Sequence, residues 1–204
     1  MSASRHNPDS AKAAAPDRAL LLGVSRREPA ALEKFFDLYY DRIFAHVARL
    51  LQDQHQAEDL THEIFLHLNK TLDRLDPDRD PTGWVFTVAT NCVRDYWRSR
   101  GHKDTTRSVG LDTEHLEVLA DDTLDAEQQL AQRQERDVVR TALLELPDRD
   151  REVILLRDYE NLDTADVATV IGAKPDAVRQ RHSRAVTRLG EIFKRLMKQE
   201  QADS

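Results

Sequence analysis

Between Lys174 and Arg195 the chain carries side chains suited to reading base pairs. On a helical wheel at about 100° per residue, Arg179, Gln180, Ser183, Arg184 and Thr187 share one arc, and Val178, Ala185, Leu189 and Ile192 fall opposite. Arg and Gln present forked donors and acceptors that match purine edges in the major groove, and a serine hydroxyl suits either base type. From Lys174 to Lys198 eight basic residues (174, 179, 181, 184, 188, 194, 195, 198) stand against two acids, Asp176 and Glu191, within a chain of net charge −7. A solvated helix of mixed charge has the same composition. The punctuation favours DNA: Gly172 follows the apolar-periodic Val167, Ala168, Val170 and Ile171, and Pro175 opens the next helix, as in a helix-turn-helix.

A second polar strip lies mid-chain. Over residues 82–100, Thr87, Asn91, Arg94 and Arg98 gather on one side with Trp84 at its edge, and Val85, Val88, Ala89, Cys92, Val93 and Tyr96 form the apolar side. Aromatic stacking beside basic and amide groups suits single-stranded bases, although an ordinary amphipathic helix has the same pattern. Acids form a third group: Glu58, Asp59 and Glu63 lie off the buried line Ala57, Leu60, Ile64, Leu68, with Asp59 and Glu63 at i, i+4. Acids early in a helix also favour its dipole. No nucleophile–base pair or metal constellation is evident, so neither a catalytic residue nor a cofactor is expected. His55, His62 and His67 are spaced by seven and five, which does not make a metal pair.

The elements that must position these residues are helical. The chain has 204 residues with little glycine and much Ala, Leu, Arg, Glu and Asp, enough for one core or two small ones. The single cysteine, Cys92, excludes an internal disulfide and reads as a core thiol. No apolar run approaches the roughly 20 residues of a membrane span, and no signal-peptide h-region opens the chain; a cytoplasmic protein is expected. In order, the pattern predicts a disordered 1–16, a short helix at 17–25, a long amphipathic helix at 30–51, a third helix at 56–72, a charged loop at 73–82 and a fourth helix to 100. Residues 101–127 hold eight acids and two bases and read as a self-repelling tether. Helices follow at 124–146 and 148–159, then the helix-turn-helix. The expectation is an all-α chain of two small helical lobes, 17–100 and 124–198, joined by an acidic flexible linker at 101–123, with a tail at 199–204.

Three stretches in this order resemble the extracytoplasmic-function group of bacterial sigma factors, over about residues 20–195. QAEDLTHEIFLHLNKTL (56–72) is similar to the group's polymerase-binding helix, TGWVFTVATNCVRDYWRSR (82–100) to its −10 helix, and LPDRDREVILLRDYENLDTADVATVIGAKPDAVRQRHSRAVTRL (146–189) to its −35-binding lobe. The resemblance implies a sigma region 2 helical bundle and a sigma region 4 helix-turn-helix, in a non-enzymatic factor that directs core RNA polymerase to promoters, often in stress responses. It implies that Glu58, Asp59 and Glu63 meet the β′ coiled coil, with the β subunit as a further polymerase partner. It assigns −10 binding and melting to Trp84, Thr87, Asn91, Arg94 and Arg98, with the 73–82 loop and Asn91 capturing a flipped base. It assigns −35 reading to Lys174, Arg179, Gln180, Ser183 and Arg184. A cognate anti-sigma factor is a further implied partner; membrane insertion is not.

The sequence departs from the group's pattern at several positions. Gln56 replaces an acid, Asn161 a glycine and Lys174 a small cap, while His182 and Ser183 stand where bulkier apolar residues are common. Thr61, among the acids, is a candidate phosphorylation site, where a phosphate would add about −1.5 to −2 charges. Read from residues alone, two alternatives stay open: a free-standing dimeric helix-turn-helix regulator, and a helical adaptor with no DNA role.

Overall fold

The computed structural model describes residues 16–51, 53–100 and 126–203, and among them the regular structure is helical throughout. The helices are α1 (Arg18–Ser25), α2 (Pro29–Leu51), α3 (Gln54–Lys70), α4 (Thr82–Arg100), α5 (Ala126–Leu144), α6 (Asp148–Ile154), α7 (Thr164–Ile171) and α8 (Pro175–Asp203). A 3₁₀ turn at Leu72–Arg74 follows α3, and α6 widens into a π-helical turn at Leu155–Tyr159. The disordered N-terminus and the acidic linker of the sequence reading lie outside the described residues.

Local chemistry sets the boundaries. Asp17, Asp53 and Asp163 are N-caps, their carboxylates accepting from Leu20 N, Gln56 N, and both Ala165 N and Asp166 N. Asp53 starts α3 at Gln54, two residues before the expected 56. Gly172 ends α7 in the left-handed region at φ 67°, and Asn161, a residue type that tolerates that region, turns the chain before α7 at φ 55°. The last helix runs to Asp203, beyond the 198 at which the lobe was expected to end.

Helices α1–α4 pack around Phe35, Tyr39, Ile43, Val47, Ile64, Leu68, Val85 and Ala89, all with no exposed surface. Helices α5–α8 form two smaller clusters, one around Val153, Leu156, Val167 and Val178, the other around Leu143, Leu146, Ile154 and Ala185. The clusters do not respect the lobe boundary. Phe86 of α4 belongs to the second lobe's cluster, and Leu155 beyond α6 belongs to the first lobe's. The two lobes, expected as small bundles joined by an acidic linker, share apolar cores.

Polar groups lock the junction. Arg151, 3% exposed, donates from Nε to Leu143 O at 2.9 Å, from Nη1 to Leu50 O at 3.0 Å, and from Nη2 to Leu144 O at 2.8 Å and Leu146 O at 3.0 Å. It thereby satisfies carbonyls that the ends of α5 and α2 leave without helical partners. A ridge of α2 faces the second lobe: Arg42 pairs with Glu160 at 3.2 Å, Arg49 lies over the Tyr159 ring at 4.7 Å, and His46 packs edge-on against Phe86 at 5.1 Å.

Candidate nucleic-acid interface

The recognition face is assembled by α7 and α8. Val178 and Ala185 are fully buried, and Leu189 and Ile192 pack partly buried against the cluster at Ala185. That docking turns Arg179, Gln180, Ser183 and Arg184 outward, where they line one shallow open depression. The turn at Gly172 places exposed Lys174 immediately before Pro175, with its carbonyl accepting from Val178 N at 3.1 Å. Thr187, also exposed, donates its hydroxyl to Ser183 O at 3.0 Å.

The basic excess of Lys174–Lys198 is partly answered by acids within it and beside it. Arg179 pairs with Asp176, Arg188 with Asp150 at 2.8 Å, and Arg195 with Glu145. Arg184, at the centre of the face, donates to Gln180 O at 3.3 Å within its own helix. His182 differs from the neighbouring base-reading side chains. It lies partly buried with Nε2 2.7 Å from Asp158 Oδ2, bracing α8 against the π-turn.

On α4 the strip divides. Asn91 and Arg98 are exposed, Arg98 pairing with Asp95, while Thr87 is half-buried and donates to Gly83 O at 2.7 Å. Trp84 packs its ring partly against the first core. Arg94 turns to the second lobe and donates to Glu152 Oε2 at 3.0 Å. Helix α4 thus has three faces: one on the first core, one exposed through Asn91 and Arg98 with half-buried Trp84 at its edge, and one through Gly83, Phe86, Thr90 and Arg94 toward the second lobe. The loop before it is tied down: Tyr39 and Thr82 share a hydroxyl hydrogen bond at 3.0 Å, Asp80 accepts from Thr82 N at 2.9 Å, and Arg18 pairs with Asp78 at 2.6 Å.

The acids of α3 are available. Asp59 and Glu63 are exposed and Glu58 is half-buried. Beside them an apolar patch that the periodicity did not flag is open, with Leu66 59% and Tyr40 37% exposed and Tyr40 stacked on Phe65. Gln56 has a local role in place of the missing acid: its amide donates to the capping Asp53 carboxylate. Thr61 corrects an expectation. It is fully buried with an unpaired hydroxyl, because it sits one residue past Leu60 on the core side of α3, so a phosphate cannot be accommodated there in this fold.

The side chains that sequence reading missed are those of the junction. Glu152 and Glu160 are buried acids whose carboxyl pKa values are raised by burial, against the lowering influence of Arg94 on Glu152 and of Arg42 on Glu160. His46 is buried with both ring nitrogens unpartnered, and burial, with Arg49 nearby, lowers its pKa to about 3. One signal was present in the sequence: Glu152 directly precedes the apolar run Val153–Leu156. Among the described residues no group of three or more His, Cys, Asp or Glu is placed to hold a metal, and no helix is long and apolar enough to cross a membrane.

Residues 35–103 match the family model for sigma-70 region 2, and residues 136–189 that for sigma-70 region 4. The chain is 30% identical over 168 residues to the ECF RNA polymerase sigma factor SigC of Mycobacterium tuberculosis, covering 82% of this chain and 85% of that one. It is 31% identical over 140 residues to the RNA polymerase sigma factor CnrH of Cupriavidus metallidurans, covering 67% and 73%. Its fold is similar to CnrH solved with the cytosolic domain of CnrY (TM-score 0.62, 23% identity, covering 87% and 97%). It is likewise similar to the sigma factor RpoE solved with the anti-sigma factor NepR from Bartonella quintana (TM-score 0.64, 22% identity, covering 79% and 96%).

Proposed function

The chain belongs to the extracytoplasmic-function sigma factors of the sigma-70 family, and from that membership and its surfaces we propose how it divides promoter recognition between its lobes. At the coarser level it is a non-enzymatic factor for promoter-specific initiation by RNA polymerase. At the finer level, Arg179, Gln180, Ser183 and Arg184 read the −35 element in duplex DNA, with Lys174 on a phosphate at the helix entrance. The observation that carries this is the depression on α8, where four base-matching side chains converge on a face backed by buried Val178 and Ala185.

Trp84, Thr87, Asn91, Arg94 and Arg98 engage the melted −10 strand. Exposed Asn91 offers both a donor and an acceptor to a base taken out of the stack, and Trp84 offers a ring edge near it. Asp59 and Glu63, with Glu58 behind them, bind the basic β′ coiled coil, and the tethered second lobe meets the β subunit. The site of action is the cytoplasm. An anti-sigma factor, of the kind solved with the similar RpoE, is the expected antagonist.

In vitro transcription with core polymerase on a library of genomic fragments tests the reading. The expected result is selective initiation downstream of a shared −35/−10 motif, with Asn91→Ala impairing promoter opening more than closed-complex binding. Initiation no more selective than that of core polymerase alone removes the promoter reading, and equal loss of opening and binding in Asn91→Ala removes the flipped-base role.

A further inference from the structure

One acid stands inside the reading face of α8. At about 100° per residue, Asp176 falls at the middle of the arc, with Ser183 and Thr187 roughly 20° to either side, Gln180 about 40° and Arg179 about 60° away. Its side chain is 80% exposed and belongs to the first turn, where a recognition helix brings side chains to base edges. Acids in a first turn also favour the helix dipole. That role asks only for charge near the N-terminus, and it gives no reason for the charge to sit at the centre of a surface that meets a polyanion.

The other acids near α8 are placed differently. Asp150 and Glu145 lie outside the helix and answer Arg188 and Arg195. Glu191 shares the arc, but it lies about 10 Å beyond Arg184 along the axis, past the stretch that lines the depression. Small residues flank Asp176: exposed Pro175 and Ala177 leave its short side chain unobstructed, and a Cβ added at Gly172 in the preceding turn would meet no atom within 4 Å. Nothing bulky at this end of the helix holds a duplex away from the carboxylate.

Asp176 also holds one of the reading arginines. Arg179 donates from Nη2 to Asp176 Oδ1. A guanidinium steadied through one Nη2 hydrogen keeps its Nη1/Nη2 end for the O6 and N7 of guanine. The carboxylate has a second oxygen, and in the major groove its match is the N4 amino group of cytosine. Guanine and thymine would set O6 or O4 against the negative charge, so the same group that accepts from cytosine rejects those two bases. Three residues advance the helix by about 4.5 Å, close to the roughly 3.4 Å between base pairs, so Asp176 and Arg179 address neighbouring pairs.

Resting on the −35 reading above, we propose that Asp176 is a specificity-determining residue of that site, accepting from a cytosine N4 amino group and steadying Arg179 on the guanine of the adjacent base pair. It adds no attraction for phosphates. Its contribution is the choice between bases, and it narrows what an otherwise basic helix accepts.

Transcription from a linear promoter, with each −35 position varied singly over the four bases, tests this with the full chain and core polymerase. Wild type should show one position where cytosine exceeds guanine and thymine by about 5–150-fold, equivalent to about 1–3 kcal/mol, beside one that requires guanine. Asp176→Ala should flatten the cytosine position, weaken the neighbouring guanine preference and leave the remaining positions as they were. Asp176→Asn, nearly the same in shape, should move the first position from cytosine to adenine, because an amide matches adenine N6 and N7. The ratio between bases at one position does not depend on how much active protein is present, so a loss of folding alone leaves it intact. Unchanged ratios in both variants, including a uniform rise or fall across all sequences, overturn the proposal. If wild type selects promoters with no base preference anywhere in the −35 element, the −35 reading itself has failed, and the role of Asp176 with it.

Discussion

Replacing Arg151 with methionine removes the most heavily bonded side chain of the junction while keeping much of its volume. Four carbonyls, those of Leu50, Leu143, Leu144 and Leu146, then lose a charged donor, and Asp148, 3.6 Å away, loses a neighbouring cation. A buried acceptor left unsatisfied costs about 1–3 kcal/mol, so the four together set a gross loss on the order of 4–12 kcal/mol. Against that stands relief from burying a guanidinium, a cost evident in the lowered pKa of Arg151 and worth several kcal/mol. The expected net loss is about 3–5 kcal/mol. In a chain of this size each kcal/mol moves the midpoint by roughly 2–4 °C, so Tm should fall by about 6–20 °C. Thermal unfolding followed by circular dichroism at pH 7 measures it. Arg151→Lys should recover little, because one ammonium cannot reach four acceptors arranged for a planar fork. A Tm within about 2 °C of wild type for Arg151→Met, or a lysine variant as stable as wild type, would refute the account of Arg151 as a cap shared by two helix ends.

Three further outcomes are expected. Arg184→Ala should cost about 1–3 kcal/mol of binding at one position of the −35 element in a systematic promoter series; uniform weakening across sequences would make Arg184 a phosphate contact instead. His46 is held neutral in the fold, with its pKa near 3 against 6.5 when unfolded, and faces Phe86 of α4, Arg42 and Arg49 of its own helix and the Glu160 side of the second lobe. Its stability contribution is therefore complete above about pH 6.5 and is lost as pH falls toward 3. Relative to His46→Leu, wild type should lose about 2 kcal/mol between pH 7.5 and pH 5 in urea titrations, a difference that isolates His46 from the buried glutamates, which shift the opposite way; equal pH slopes would contradict this. Thr61→Val should raise stability by about 1 kcal/mol, since the buried hydroxyl has no partner to lose, and a lowered Tm would show that it has one.

What the sequence made legible was whatever a helix states about itself. The start of α1 near Asp17, the turn at Gly172 and the division of α8 into buried Val178 and Ala185 against outward Arg179 to Arg184 all follow from period and punctuation. What stayed hidden depends on partners far along the chain. A wheel of α4 assigns Arg94 to the polar strip, yet nothing local says that Glu152, 58 residues on, will claim it. Phe86 lies off the apolar stripe of Val85, Val88 and Ala89, because the surface that buries it comes from another lobe. Thr61 looked available among acids because hydroxyl residues are usually exposed; its angle beside Leu60 and Ile64 was the better guide. Glu58, Asp59 and Glu63 were placed by period alone, but the adjoining Leu66 and Tyr40 were not, since an apolar residue is assumed to be inside until packing leaves it out.

Phe86 has a consequence for the modularity of this chain. By chain it is part of the first lobe, and by contact it is a core residue of the second, while Leu155 has the reverse allegiance. A chimera cut anywhere in the intervening segment, joining this first lobe to a relative's second, would carry Phe86 into a socket shaped for a different residue and leave the site of Leu155 to a stranger. Exchanging either lobe of this chain thus breaks both contacts, and keeping them means carrying residues 86 and 155 together.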